Sequence, residues 1–347
     1  MASLSATLRP EEKTIDSVEA SPGAPARHRA LPTALLVAGL AIVGWLLWTA
    51  GWPAVRANLA LIGWRFPALV ALYAAAEAAF AAGWMLVLPS LSPRRAFGRV
   101  FAAYIGGDAI NYATPVNVAG EPLKARLLSD LVSGREAAAS LALYKHAELL
   151  AQSVFVAAGV AVALRSYALP RAVALLAAAG AAALVLAFGF MTWALRRGSF
   201  APILGRLTRI GWLGRRLSRF EGGARDVDAS IRAFYAQHPM RFALASLFCL
   251  AGWCGGLLET YLVLGLLTHA TSPRLAFSVE GLAMVAGNML LFMPARVGSA
   301  EGSRVAVFLL LGLPAAQGVA YGLVRRAREL VWVALGALVL LKRHVKP

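Results

Sequence analysis

The residues of this chain that could do chemistry are charged side chains set inside apolar stretches. Glu121, Lys124 and Arg126 follow a break at Pro115–Gly120, and Glu301 and Arg304 follow a second break at Pro294–Gly298. Lys145 and Glu148 lie in one apolar run, while Arg325, Arg326, Arg328 and Glu329 crowd another. Asn111 and Asn117 place neutral donors and acceptors around the first break. An ionised group held away from water is unfavourable unless paired, and at membrane depth such groups mark binding or ion sites. The chemistry open to this set is noncovalent: ion pairing and hydrogen bonding to a charged or dipolar group. Two structural readings stand beside it. A carboxylate that opens a helix complements the helix dipole, which by itself accounts for Glu121 and Glu301. Lys145–Glu148 and Arg326–Glu329, each three apart, face the same side of a helix. They either neutralise each other so that the helix can insert, or belong to a switchable network reaching Glu121 and Glu301.

These residues sit in a repeated pattern. Gly107–Glu121 (GDAINYATPVNVAGE) is echoed 180 residues later by Gly287–Glu301 (GNMLLFMPARVGSAE). The same offset matches Lys124 to Arg304, and one extra residue matches Lys145–Leu149 to Arg326–Leu330. Glu77 and Glu259 correspond more weakly at an offset of 182. Charged positions within apolar helices are rare, so several coincident matches indicate two related halves.

The elements that must position these groups belong to a membrane protein. Of 347 residues, 59% are hydrophobic and 15% charged, with mean hydropathy +0.67; a soluble domain has about 25% charged residues. Six apolar runs are long enough for the roughly 20 residues a crossing needs: Leu31–Thr49, Phe66–Leu88, Ala137–Leu164, Leu169–Leu195, Met240–Thr268 and Ala315–Leu341. Two further apolar segments hold the breaks. Their second arms, Glu121–Ser133 and Glu301–Leu313, are 13 residues each, about 20 Å of helix against a hydrocarbon core of about 30 Å. They read as hairpins that enter and leave on one side; the alternative is two pairs of short spans. Non-helical backbone within lipid is tolerated only against protein or a wet cavity, so the breaks should line one.

The formal charge of +17 points to membrane borders, not nucleic acid, because the cations cluster between apolar runs. Residues 196–237 hold nine Arg against Glu221, Asp226 and Asp228. Placing this loop, Arg27–Arg29, Arg94–Arg95 and the Lys342–Lys346 terminus on one side requires six crossings, the number counted. That side is cytoplasmic by the positive-inside rule, with both termini on it. Three crossings separate the hairpins, so the halves are inverted. The expected fold is all-α: a polytopic integral membrane protein of six spans plus two re-entrant helical hairpins, eight apolar segments forming an inverted-topology repeat. Residues 1–30 read as a flexible cytoplasmic tail and 31–347 as one transmembrane domain, with half one at 31–165 and half two at 169–342. Inverted repeats with broken helices suit alternating access.

Other chemistry finds no motif. There is no phosphate-binding or nucleotide loop, no HExxH or Cys-His metal spacing and no GxSxG elbow. No catalytic residue, cofactor or metal is expected. Cys249 and Cys254 read as packing residues, and His146 as a hydrogen-bonded interface residue. The Arg-rich loop suits one or two amphipathic helices on anionic lipid.

Pro115–Leu128 (PVNVAGEPLKARLL), Pro294–Glu301 (PARVGSAE), Leu311–Pro314 and Arg325–Leu330 (RRAREL) resemble the lysylphosphatidylglycerol synthase transmembrane-region family, also called flippase-like. Within it, the pattern looks most like a branch associated with hopanoid biosynthesis. By resemblance Gly120, Glu121, Lys124 and Arg126 match the first family motif, and Pro294, Gly298, Glu301 and Arg304 the second. Arg296 and Ser299 stand where the family usually has small or Gly residues, so the family's substrate does not carry over. The resemblance implies movement of lipids between leaflets. The aminoacyl-transfer domain of some members is not recognisable here, so an enzyme is not expected. The leading expectation is a bacterial inner-membrane flippase or transporter for an amphipathic lipid, hopanoid-related or phospholipid, whose partners are membrane lipids. The alternatives are a scaffold or subunit that binds lipid-biosynthetic enzymes, and a lipid-modifying transferase.

Overall fold

The structure, a computed structural model, describes residues 48, 52–114, 118–198, 202, 221–268, 271–289 and 298–344, and all regular structure among them is helical. The tail 1–30, the first expected span, Pro115, Asn117, Pro294 and most of the Arg-rich loop lie outside the described residues.

Helix α1 (Trp52–Ile62) runs through a 3-10 turn at Gly63–Arg65 into α2 (Phe66–Leu86). The second span therefore begins earlier than its apolar run, and Trp52–Leu86 forms one segment of 35 residues. Next come α3 (Pro93–Ala113), the short α4 (Glu121–Leu127), α5 (Gly134–Ser166) and α6 (Arg171–Arg197). The second half comprises α7 (Glu221–Gln237), α8 (Pro239–Thr268), α9 (Pro273–Met289), α10 (Ser299–Leu310) and α11 (Ala315–His344). Among the described residues, four segments are long and apolar enough to cross a membrane: Trp52–Leu86, α5, α6 and α8. At 30 residues α11 is long enough, but its middle carries Arg325, Arg326, Arg328 and Glu329. Its charges face protein partners, as described below, which lets a polar helix sit among apolar ones.

The halves interlock. Helix α2 packs along α8, α3 along α11, and α9 along α5. Each broken segment folds back on itself, α4 against α3 and α10 against α9. Both second arms are shorter helices than expected. The first ends at Leu127, and a turn leads to Ser133, whose side chain accepts from Glu136 N and caps α5. The second ends at Leu310, and Gly312, at φ +77°, turns the chain into α11.

Two glycines explain how tightly α3 and α4 meet. A Cβ on Gly120 would collide with the Gly107 carbonyl, and one on Gly107 would collide with the Lys124 side chain. The outer face of α6 presents Leu175, Leu176, Leu186, Phe190 and Trp193 as exposed apolar side chains, as a lipid-facing surface does. Helix α7, from the Arg-rich loop, instead spends its apolar face on protein: Ile231 and Phe234 are buried in the core cluster. His146 joins it to α5 and α6 by hydrogen bonding Tyr235 and, at 2.8 Å, Thr192.

Candidate functional site

A cavity of about 360 Å³ lies between the halves, walled by α2, α3, α5, α8, α9, α10 and α11. Its charged lining is balanced. Lys145, Arg304, Arg325, Arg326 and Arg328 face Glu77, Asp108, Glu148, Glu280 and Glu329. Among the described residues the lining holds five cations and five acids.

The first cluster is built on α3, α4 and α5. Asn111 accepts the Gly120 N–H at 2.6 Å and donates to Glu121 at 2.9 Å, tying the break to α3. Lys124 is buried, 2.7 Å from Asp108 and 3.1 Å from Glu121, with its ammonium 4.7 Å from the Tyr104 ring centre. Lys145 pairs with Glu148 at 2.9 Å and lies 3.5 Å from Glu121.

The second cluster repeats this geometry on α10 and α11. Gly298 N–H donates to Glu301 at 2.8 Å, closing the start of α10, while Arg326 donates to the other oxygen of Glu301 at 2.7 Å. Gly298 has φ +76°, a conformation natural to glycine. Arg326 lies 3.7 Å from Glu329, as Lys145 lies beside Glu148. Arg304 reaches Glu329 at 3.3 Å. Tyr112, next to Asn111 on α3, bonds both Arg326 and Glu329 and so joins the clusters.

Two further pairs complete the wall. Arg328 binds Glu259 through two N–H groups at 3.1 and 3.0 Å, with both residues buried and the guanidinium 3.4 Å above Tyr73. Arg325 binds Glu280, with Thr260 at 3.2 Å and Tyr321 at 2.7 Å.

Of the residues singled out in the sequence, Asn111, Lys145, Glu148, Arg304, Arg325 and Glu329 line the cavity. Glu121, Lys124 and Glu301 stand behind it and hold the lining groups. Arg126 is exposed on the far side of α4 and outside the lining. Glu121 and Glu301 sit in separate clusters joined through Tyr112 on α3. Sequence reasoning passed over Asp108, Tyr112 and Glu280, although the isolated acids in apolar helices gave the same signal that drew attention to Glu121.

Among the described residues, five buried N–H donors of lining residues have no protein acceptor: Asn288 Nδ2, Arg304 Nη1, Arg325 Nε, Trp253 Nε1 and Trp332 Nε1. Such a donor is unfavourable by about 1–3 kcal/mol.

Residues 35–336 match the family described as lysylphosphatidylglycerol synthase TM region. The chain belongs to that family. It is thus a multi-pass membrane protein of a lipid-related family, and the family motifs fall on both clusters. A search of curated proteins and of solved structures found no match.

Proposed function

We propose that this family member moves an amphipathic lipid between the leaflets of a bacterial inner membrane, with the polar head passing through the cavity and the tails remaining in lipid. The observation that carries the reading is the cavity itself. It is polar, walled by both halves and balanced in charge. The balanced charge favours a zwitterionic or neutral head over a simple anion. The resemblance to the hopanoid-associated branch makes a hopanoid or its precursor the first candidate. The reciprocal packing of α3 on α11 and α9 on α5 supports an inverted repeat with two re-entrant hairpins, and the arginine distribution supports cytoplasmic termini. Transport, not catalysis, is the activity proposed, because most of the lining carboxylates and cations pair with one another.

The test is leaflet exchange in proteoliposomes of phosphatidylethanolamine and phosphatidylglycerol, followed with fluorescent analogues of both. Wild type exchanges at least one of them. Glu121→Gln and Glu301→Gln reduce exchange to background at unchanged expression, because each releases a cation that lines or backs the cavity. Full exchange by both variants would remove these residues from the mechanism.

A further inference from the structure

Helix α8 meets α9 through two neighbouring stripes of different character. Trp253, Gly256 and Thr260, three and four apart, form the polar-side stripe. Trp253 lines the cavity, a Cβ on Gly256 would stand 3.8 Å from Glu280 Oε1, and the Thr260 hydroxyl lies 3.1 Å from the same oxygen. The adjoining stripe is Cys254, Leu257, Leu258 and Tyr261, at i, i+3, i+4 and i+7. With Pro273 and Ala276 of α9 it lines a second hollow, of about 280 Å³. None of these side chains carries a charge. Cys254 is exposed and Leu258 is 46% exposed, so the hollow lies on the outer surface of a helix long and apolar enough to cross a membrane.

The hollow and the cavity are successive parts of one seam. Pro273, Ala276 and Glu280 share a face of α9, at i, i+3 and i+7, and that face continues through Ala283, Met284 and Gly287 in the cavity lining. Glu280, held by Arg325 and Thr260, is the border. From Glu280 to Pro273 is seven residues, about 10 Å along the helix. Over that distance the seam changes from charged to apolar, as an amphipathic molecule does between its head and its chain. An apolar hollow by itself selects nothing from a bilayer, because the surrounding chains are equally apolar. A head held in the adjoining cavity supplies the selection, since it raises the effective concentration of its own chain at the hollow.

We propose that the α8–α9 seam binds one hydrocarbon chain of an amphipathic lipid in the hollow lined by Cys254, Leu258 and Ala276, while the head of the same molecule lies past Glu280 in the cavity. The place of the head rests on the transport reading.

Photo-crosslinking in proteoliposomes of the full-length protein tests the site. The probes are phosphatidylethanolamine and phosphatidylglycerol with a diazirine on one acyl chain, and a diazirine-bearing alkane without a head; adducts are mapped by mass spectrometry. The exposed α6 residues Leu175, Leu186 and Phe190 report contact with bulk lipid. At least one phospholipid probe is expected to label the seam severalfold more than α6, and the alkane is expected to label both alike. Cys254→Trp, which fills the hollow, lowers seam labelling to the α6 level, and Cys254→Ser preserves it. Leu258→Trp carries the test if Cys254→Trp does not fold. Seam labelling by the phospholipids no greater than that of α6, as follows if another segment of the chain or a second copy fills the hollow, overturns the site. Excess labelling that survives the tryptophan variants also overturns it. Equal seam preference by the alkane overturns the link to a head in the cavity. A seam labelled as expected in a protein that exchanges no lipid counts against the transport reading alone.

Discussion

At the scale of single residues, the energetics are those of buried charges that need their partners. Arg328 and Glu259 are both buried and joined by two hydrogen bonds. Removing one partner leaves an uncompensated charge, so Arg328→Ala or Glu259→Ala is expected to destabilise the protein by about 3–5 kcal/mol. The double variant Glu259→Gln/Arg328→Met should lose much less than the sum, and thermal unfolding in detergent reads both effects. Asn111 is a neutral counterpart to these ions, since its side chain serves the Gly120 N–H and Glu121 at once. Asn111→Ala orphans a buried donor and should lose about 1–3 kcal/mol by the same measurement. That Asn111 and Glu121 belong together was legible from their places around one break. The Arg325–Glu280 pair was not, because its members lie 45 residues apart and nothing local connects them.

At the scale of elements, the two broken segments look alike in sequence but are closed by different means. In the first, Gly107 and Gly120 let α3 and α4 touch backbone to side chain, and a Cβ at Gly120 has no space. Gly120→Ala should therefore lose about 1–3 kcal/mol through overpacking and should also weaken lipid exchange by displacing Glu121, as scored by unfolding and by the proteoliposome assay. In the second, nothing among the described residues lies within 4 Å of a Cβ at Gly287, and closure comes from Gly298, Glu301 and Arg326. Gly287→Ala should accordingly be near neutral. The apolar pattern located both arms but overestimated their helical length, because it does not register the turns that end α4 at Leu127 and α10 at Leu310. The pattern also missed α1, whose Arg56 and Arg65 interrupt the apolar run without interrupting the helix.

At the scale of the whole molecule, the halves exchange elements so that each cavity wall is shared. The proposed inversion of the two halves has a direct consequence. In a background where Cys249 and Cys254 are replaced by Ala, Ser129→Cys after the first hairpin and Ser272→Cys before the second should react with an impermeant thiol reagent from opposite sides of the membrane. Reaction from the same side would end the inverted arrangement. The sequence alone determined the all-helical membrane class and most of the charged groups around the cavity. These follow from local rules: apolar runs must reach a certain length, helices break at Pro and Gly, and charges in apolar helices are conspicuous. The tertiary structure decided which charge answers which. It separated Glu121 from Glu301, matched cavity-side cations with Asp108 and Glu280, and gave Arg328 to Glu259 while leaving Glu77 without an ion pair among the described residues. Ion pairing acts through space between helices that packing brings together, and no periodicity along the chain encodes it.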